Sequence, residues 1–194
     1  MARALEFDRD VALEQAKLVF WAKGYAGTST DDLIRAMGIG RQSLYNTFGD
    51  KWQVYVEALT DYLRRSTSAH TQRLQAAPSA LQGIRDMLEG LVVEDDAMRA
   101  MGCMGVGAAS EFGGKESQLA ELRSKGSSQL RTKVAKRVRE GQASGDIDLS
   151  LNPEEAAGYL LMSMTGIQVA ARSGAKANEL RRMARFAADR LEAH

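Results

Sequence analysis

A short run of polar side chains, residues 41–47, has the chemistry needed to contact the edges of DNA base pairs. Arginine and glutamine can each form two hydrogen bonds with a single base, and serine and asparagine offer further donors and acceptors. Leu44 and Phe48 stand four residues apart and indicate the buried side of a helix, which leaves the polar side chains free. The predicted base contacts are Arg41, Gln42, Ser43 and Asn46.

Other side chains close by suit the phosphate backbone of DNA rather than its bases. Hydroxyl, phenol and ammonium groups of this reach fix the position of a protein on a duplex without reading its sequence. Lys51 also stands at the predicted start of a helix, where a phosphate is favoured. The predicted phosphate contacts are Thr28, Ser29, Tyr45 and Lys51.

These side chains can face DNA together if they lie on two short helices joined by a tight turn. Ser29 or Thr30 can cap the first helix, and Gly38 can end it. The apolar face of this helix consists of Leu33, Ile34 and Met37. The polar run then forms the second helix, so residues 28–51 predict a helix-turn-helix unit that reads the major groove. The simpler alternative is a helical hairpin inside a bundle.

The same segment resembles the TetR family of bacterial transcription regulators. In that family an aromatic residue and a Gly-Tyr pair end the first helix, and this chain has Phe20, Gly24 and Tyr25 there. Further matches, all between residues 10 and 52, are Thr28, Ser29, Leu33, Ala36, Gly38, Leu44, Tyr45, Phe48 and Lys51. The resemblance implies an all-α fold of about nine helices, with an N-terminal three-helix helix-turn-helix domain and a helical ligand-binding and dimerisation domain.

Two positions depart from the family pattern. Gly40 stands where many relatives have a small hydroxyl residue that caps the recognition helix and reaches a phosphate. Its backbone N–H can still reach a phosphate. Gln42 replaces a residue that is commonly small, and it can bond adenine N6 and N7, which is expected to sharpen specificity.

Overall composition argues against several other classes of protein. The chain has 194 residues, of which 26 are basic and 25 acidic, so its formal net charge of +1 gives no general affinity for nucleic acid. No acidic residue occurs within residues 33–49, which predicts a locally positive recognition surface. A single cysteine excludes an intrachain disulfide, and neither a signal run nor a membrane span is evident. We expect a cytoplasmic protein without metal or cofactor.

The chain is expected to divide into two domains. Residues 1–52 form the predicted DNA-binding domain, here called the N-terminal domain. Residues 53–194 form the regulatory C-terminal domain, and a linker helix of about 51–76 joins the two. The last two predicted helices, about 153–193, include a nearly charge-free helix rich in small residues. One copy of the chain offers too little to cover it, so a homodimer through these helices is predicted.

Cys103 has two interpretations. Single cysteines are commonly packing residues in a core. Alternatively, Gly102 and Cys103 match a Gly-Cys pair found in similar regulators that respond to oxidants or electrophiles, which favours a thiol switch that releases DNA. Enzymatic use of the thiol would need a base, and neither His70 nor His194 stands in an evident constellation with it.

Methionine-rich positions of the C-terminal domain have two interpretations as well. Thioether side chains fill cores by default, but they also line adaptable apolar pockets. The predicted ligand-binding residues are Met87, Leu88, Met101, Cys103, Met104, Phe112, Tyr159 and Met162.

Taken together, these features predict a homodimeric, sequence-specific DNA-binding regulator that acts as a repressor. Its expected partners are a palindromic double-stranded operator and a small-molecule inducer of unknown identity, with thiol modification as another releasing signal. The alternatives are a helical interaction module that binds no DNA and a small cysteine-dependent enzyme.

Overall fold

The computed structural model describes residues 7–193, which form ten α-helices and no β-strand. This confirms the predicted all-α fold, and the short helix α6 accounts for the difference from about nine helices. The helices are α1 (Arg9–Lys23), α2 (Thr30–Met37), α3 (Arg41–Phe48), α4 (Lys51–Ala76), α5 (Ala80–Glu89), α6 (Asp96–Ala100), α7 (Met104–Phe112), α8 (Ser117–Ser144), α9 (Pro153–Arg172) and α10 (Ala177–Asp189). Within the described range, no helix is both long and apolar enough to cross a membrane.

Local capping residues set the helix boundaries of the N-terminal domain. The Ser29 hydroxyl accepts from the Asp32 N–H, and the Asp32 carboxylate accepts from the Ser29 N–H, each at 3.0 Å. Gly38 then ends α2 in the left-handed conformation with φ 66°. Asp50 and Gln53 form the same reciprocal pair at the start of α4. The predicted ends of α2 are therefore confirmed, and Asp50 caps α4.

The buried side chains form two clusters that share α4. One cluster joins α1–α3 to the first half of α4 and includes Met104, Ala108 and Leu119 from α7 and α8. The other joins the end of α4 at Leu74 to α5, α8, α9 and α10. Because α7 and α8 contribute to the first cluster, the N-terminal domain packs directly on the C-terminal domain.

The C-terminal helices agree with expectation in part. Helix α9 spans the predicted residues, with Pro153 in its first turn and Asn152 as its cap. Pro78 and the apolar spacing that follows it predict a helix over residues 78–93, but α5 is shorter. The Ser79 hydroxyl caps it by accepting from the Gln82 N–H, and its last helical residue is Glu89, which Gly90 follows. Pro78 therefore precedes the helix instead of opening it.

Candidate nucleic-acid interface and effector cleft

Helix α3 presents a polar face to solvent. Its apolar side holds Leu44, which is fully buried, and Phe48, which is 5% exposed, in the core of the N-terminal domain. This confirms their predicted structural role. The opposite side carries the residues predicted to contact bases and one predicted phosphate contact, namely Arg41, Gln42, Ser43, Tyr45 and Asn46. All of these are exposed except Ser43, which is half-buried.

Most of the predicted base contacts already have partners within the N-terminal domain. Arg41 Nη2 lies 2.5 Å from Asp31 Oδ1, and Gln42 Nε2 donates to Asn46 Oδ1 at 2.9 Å. The acid-free stretch in the sequence therefore does not give an acid-free surface, because the start of α2 brings Asp31 beside α3. DNA would have to replace these internal contacts.

The predicted phosphate contacts differ in availability. Thr28 is only 1% exposed, and its hydroxyl donates to the Gly24 carbonyl at 2.6 Å, so the predicted phosphate contact of this side chain is wrong. Ser29 is exposed but belongs to the α2 cap. Lys51 Nζ lies 4.1 Å from the centroid of the Tyr25 ring, in the first turn of α4.

The start of α3 lacks a side-chain cap because its cap residue is Gly40. Unpaired N–H groups in the first turn of a helix favour an anion such as a phosphate. The missing hydroxyl therefore leaves the backbone of this turn as the available phosphate donor.

A carboxylate of the C-terminal domain holds the turn that follows α1. Glu111 in α7 accepts from the N–H groups of Tyr25 at 2.9 Å and Ala26 at 2.6 Å. Gly24 allows this approach, since its φ is 73° and a Cβ there would lie 3.0 Å from Glu111 Oε2. Nearby, Trp21 Nε1 donates to the Gly102 carbonyl at 3.0 Å. These contacts connect the two domains, and Glu111 was absent from the predicted site residues.

A large cleft lies between α1, α4, α8, α9 and the segment that contains α6 and α7. Its volume is about 1390 Å³, enough for a small organic molecule. Apolar lining residues include Trp21, Tyr62, Leu130, Leu161, Met162 and Val169. Cys103 and Met162 are the two predicted ligand-binding residues that line this cleft. Met104 lines a smaller cavity of about 410 Å³ between α1, α7 and α9, which Cys103 also borders.

The other predicted ligand-binding residues lie outside both cavities. Met87 and Leu88 are fully buried in the C-terminal core, so the prediction is wrong for them. The side chains of Met87 and Leu88, both in α5, pack into the core instead of facing an open space. Phe112 packs among the aromatic rings of Tyr25, Trp52 and Tyr55. Met101 and Tyr159 line neither cavity.

Cys103 lies at one end of a row of polar side chains. It is the cap residue of α7 and is half-buried. The Tyr62 hydroxyl lies beside Cys103 and Ser66, and both influence the pKa of its phenol. Burial, together with the neighbouring Cys103, raises the pKa of the Tyr62 phenol above its ordinary value. Cys103 therefore lines the cleft beside Tyr62.

His70 continues this row. Tyr62, Ser66 and His70 recur every four residues on one face of α4, and the Ser66 hydroxyl lies 3.0 Å from His70 Nε2. Burial and the nearby Arg73 lower the pKa of His70 to about 4, so its ring is neutral at pH 7. Tyr62 and Ser66 thus stand between Cys103 and His70, and no hydrogen bond joins His70 to the Cys103 thiol within the described residues. His194 lies outside the described residues.

The last two helices expose a set of large apolar side chains. Apolar groups on neighbouring positions of a surface commonly mark an interaction site. The exposed residues of α9 and α10 are Tyr159, Met162, Val169, Met183 and Phe186. Their presence agrees with the predicted need for a covering partner.

Sequence models of known families match both parts of the chain. Residues 12–58 match the bacterial regulatory proteins of the tetR family. Residues 80–187 match the tetracyclin repressor-like C-terminal domain, and this second match alone covers more than half of the chain.

Individual relatives are transcription regulators, not enzymes. The uncharacterized HTH-type transcriptional regulator YezE of Bacillus subtilis (strain 168) is 38% identical over 131 residues, or 67% of this chain and 68% of YezE. The HTH-type transcriptional repressor ComR of Escherichia coli (strain K12) is 28% identical over 183 residues, or 92% of this chain and 86% of ComR.

A solved structure of a transcription regulator is also similar to this chain. A cysteine mutant of the TetR family regulator CifR, complexed with 26 bp double-strand operator DNA, superposes with a TM-score of 0.82. Its sequence is 31% identical, and the match covers 96% of this chain and 98% of that one. The chain belongs to the TetR family of bacterial DNA-binding transcription regulators.

Proposed function

We propose that the protein is a homodimeric repressor that binds a palindromic operator through α3. The observation that carries this proposal is the exposed polar face of α3, held in place by buried Leu44 and Phe48. The names of two relatives, a repressor and a regulator complexed with operator DNA, support it. The proposed base contacts are Arg41, Gln42, Ser43 and Asn46, and the proposed phosphate contacts are Ser29, Tyr45 and Lys51.

Dimerisation through α9 and α10 would cover the exposed apolar side chains of these helices. A twofold dimer also places two α3 helices on the same duplex, so that half-sites lie about one helical turn apart or slightly more. With a net charge of only +1, two copies of α3 matter more for affinity than general electrostatics. The proposed location is the cytoplasm.

Release from DNA would follow when an effector occupies the cleft. The effector must bind better to the state whose α3 helices no longer match the groove spacing, and a few kcal/mol of difference suffices. A route for this coupling runs along α7, which begins after Cys103 in the cleft and carries Glu111 at its other end. Displacement of α7 would move Glu111 away from the turn that follows α1.

Modification of the Cys103 thiol is a second proposed releasing signal. An added group would crowd Tyr62 and the start of α7, and so act on the same route. We expect N-ethylmaleimide to weaken operator binding by the wild type and to have no effect on Cys103→Ser. Alkylation that leaves operator binding intact would contradict this signal, and so would a Cys103→Ser protein that still responds.

Selection of bound fragments from a random duplex library tests the DNA-binding proposal. The expected result is a palindromic consensus, bound by two copies of the chain with an affinity that falls steeply with salt. Sedimentation measurements on the selected complex give the stoichiometry. If no sequence is enriched after bound ligand has been removed by unfolding and refolding, the helical interaction module becomes the better interpretation.

A further inference from the structure

We propose that the cleft binds an amphipathic organic anion, whose carboxylate lies between Arg73 and His70 while its apolar part lies toward Trp21 and Tyr62. This inference rests on the proposed role of the cleft as the effector site, and it specifies the chemical class of the effector. It depends on a buried polar atom without a partner, on an unpaired cation beside it, and on the length of the apolar wall.

The first observation is the Nδ1 atom of His70. Within residues 7–193, two buried side-chain nitrogens or oxygens lack a hydrogen-bond partner, His70 Nδ1 and Arg137 Nε. Arg137 still donates from another nitrogen to the Ala77 and Ser79 carbonyls. His70 uses only Nε2, with Ser66. If the Ser66 hydroxyl donates to Nε2, the neutral ring carries its proton on Nδ1, and burying such a donor without an acceptor is costly. A ligand oxygen would remove that cost.

The second observation is the charge of Arg73. This residue lies three positions after His70 on α4 and also lines the cleft. Its guanidinium packs over Gly90, where a Cβ would lie 2.4 Å from Arg73 Nε. Among the described residues, no carboxylate lies within ion-pair distance of Arg73. A guanidinium can bind both oxygens of a carboxylate at once.

The other cationic residues of the cleft are already engaged. Lys17 pairs with Glu14 and Asp61, and Arg65 pairs with the same two acids. Arg99 pairs with Asp96, and Arg123 donates to backbone carbonyls. Arg73 is therefore the cation of the cleft that an anionic ligand can reach without breaking an existing pair.

The apolar part of the cleft indicates the length and polarity of the rest of the ligand. Tyr62 and Arg73 are eleven residues apart on α4, which corresponds to about 16 Å along the helix. At the Tyr62 end, the rings of Trp21 and Tyr62 meet edge to face at 4.9 Å. Glu14 is the one carboxylate among the lining residues, and it is paired, so a cationic ligand finds no complementary charge. The cleft thus fits an apolar body with an acidic group at one end.

Calorimetric titration of the full chain with a matched pair of probes tests the inference. The probes are 4-phenylbutyrate and its neutral amide, 4-phenylbutyramide, which have nearly the same shape. We expect the wild type to bind the carboxylate at least about tenfold more tightly, in line with a charge-assisted contact. Arg73→Met should remove this preference without weakening amide binding. Arg64→Met, on the same helix but outside the cleft lining, should behave like the wild type.

A second readout keeps the test valid if Arg73→Met does not fold. In the wild type, the ring nitrogen NMR signals of His70 should shift with the carboxylate and not with the amide. Equal affinities, a preference that survives Arg73→Met, an unchanged His70 signal, or no binding of either probe would overturn the inference. Operator binding measured on the same samples tests the proposed function separately, because it does not depend on the ligand class.

Discussion

The polar side chains of α3 and those of the α4 cleft differ in whether they already have partners. On α3, Arg41 is paired with Asp31, and Gln42 donates to Asn46. In the cleft, His70 Nδ1 has no partner and Arg73 no carboxylate beside it among residues 7–193. DNA must therefore exchange internal contacts for new ones, whereas an anionic ligand gains contacts without losing any.

This difference bears on specificity. Binding to a mismatched DNA sequence breaks the hydrogen bonds within the α3 surface and does not replace them. Such a sequence therefore gains little binding free energy. Sequence discrimination on α3 is then a difference between two sets of hydrogen bonds. In the cleft, the unpaired groups favour any ligand of the right charge and length, so we expect broader ligand recognition there than on α3.

Substitution of Leu44 should have the greatest effect, because it removes the buried contact that holds α3 in place. Leu44 is fully buried, and Leu44→Ala should lower the free energy of unfolding by about 3 kcal/mol. Binding to every DNA sequence should fall together, because α3 loses its position rather than a base contact. Chemical denaturation and binding titrations check this. Tyr45→Ala, on the exposed side of α3, serves as the matched control and should keep the wild-type stability.

The next effect concerns Asp61, which binds α1 to α4 through Lys17 and also pairs with Arg64 and Arg65. Burial opposes its ionisation, but hydrogen bonds from these three residues outweigh burial and lower the pKa of Asp61 to about 2 from its ordinary 3.8. A lowered folded-state pKa means that the stabilisation is present above about pH 4 and is lost as the pH falls through 2.

Asp61→Asn should therefore be less stable than the wild type at pH 7, by about 2 kcal/mol, because it loses charge-assisted hydrogen bonds. The gap in stability should narrow as the pH is lowered toward 2. Urea denaturation at a series of pH values measures it. A gap that is independent of pH would show that the carboxylate charge is not its source.

A smaller effect tests the internal pairing of α3 directly. Asp31→Asn removes the partner of Arg41 and a negative charge that faces the DNA. Affinity for all duplexes should increase about twofold to fivefold at low salt, the range of an exposed ion pair. Glu121→Gln, which makes the same change of charge on α8, is the control. An equal gain in both variants would assign the effect to net charge and not to the Asp31 pair.

The smallest effect concerns the missing cap of α3. Gly40 has φ −75°, which any residue adopts, so Gly40→Ser should add a hydroxyl cap and stabilise the domain by a few tenths of a kcal/mol. Gly38→Ser, at φ 66°, should instead destabilise it. Melting temperatures of the two variants compare them. A stabilising Gly38→Ser would contradict the assigned backbone geometry.

Features that depend on residues close together in the sequence could be predicted from it, whereas features that depend on contacts between distant residues could not. The Ser29 cap, the Gly38 turn and the Asp50 cap depend on residues within four positions, so local patterns were sufficient. Asp31 beside Arg41 depends on how α2 packs against α3, and the stretch without acids gave a misleading picture.

The cleft depends on packing between distant segments, which local patterns do not reveal. Met87 and Leu88 are apolar, which is compatible with either a core or a cavity, and here both side chains lie in the core. Glu111 has no partner in its local sequence, because the N–H groups that it accepts from, those of Tyr25 and Ala26, lie 86 and 85 residues away. The four-residue spacing of Tyr62, Ser66 and His70 was a usable signal for one polar face of α4.

We propose that α3 reads base sequence through residues such as Arg41. The most direct test measures the affinity of the wild type and of Arg41→Ala for the selected duplex and for a scrambled one, by fluorescence anisotropy at several salt concentrations. We expect a loss of about 1 to 3 kcal/mol on the selected duplex, a much smaller loss on the scrambled one, and an unchanged melting temperature. Equal losses on both duplexes, or no loss on either, would contradict base reading by Arg41.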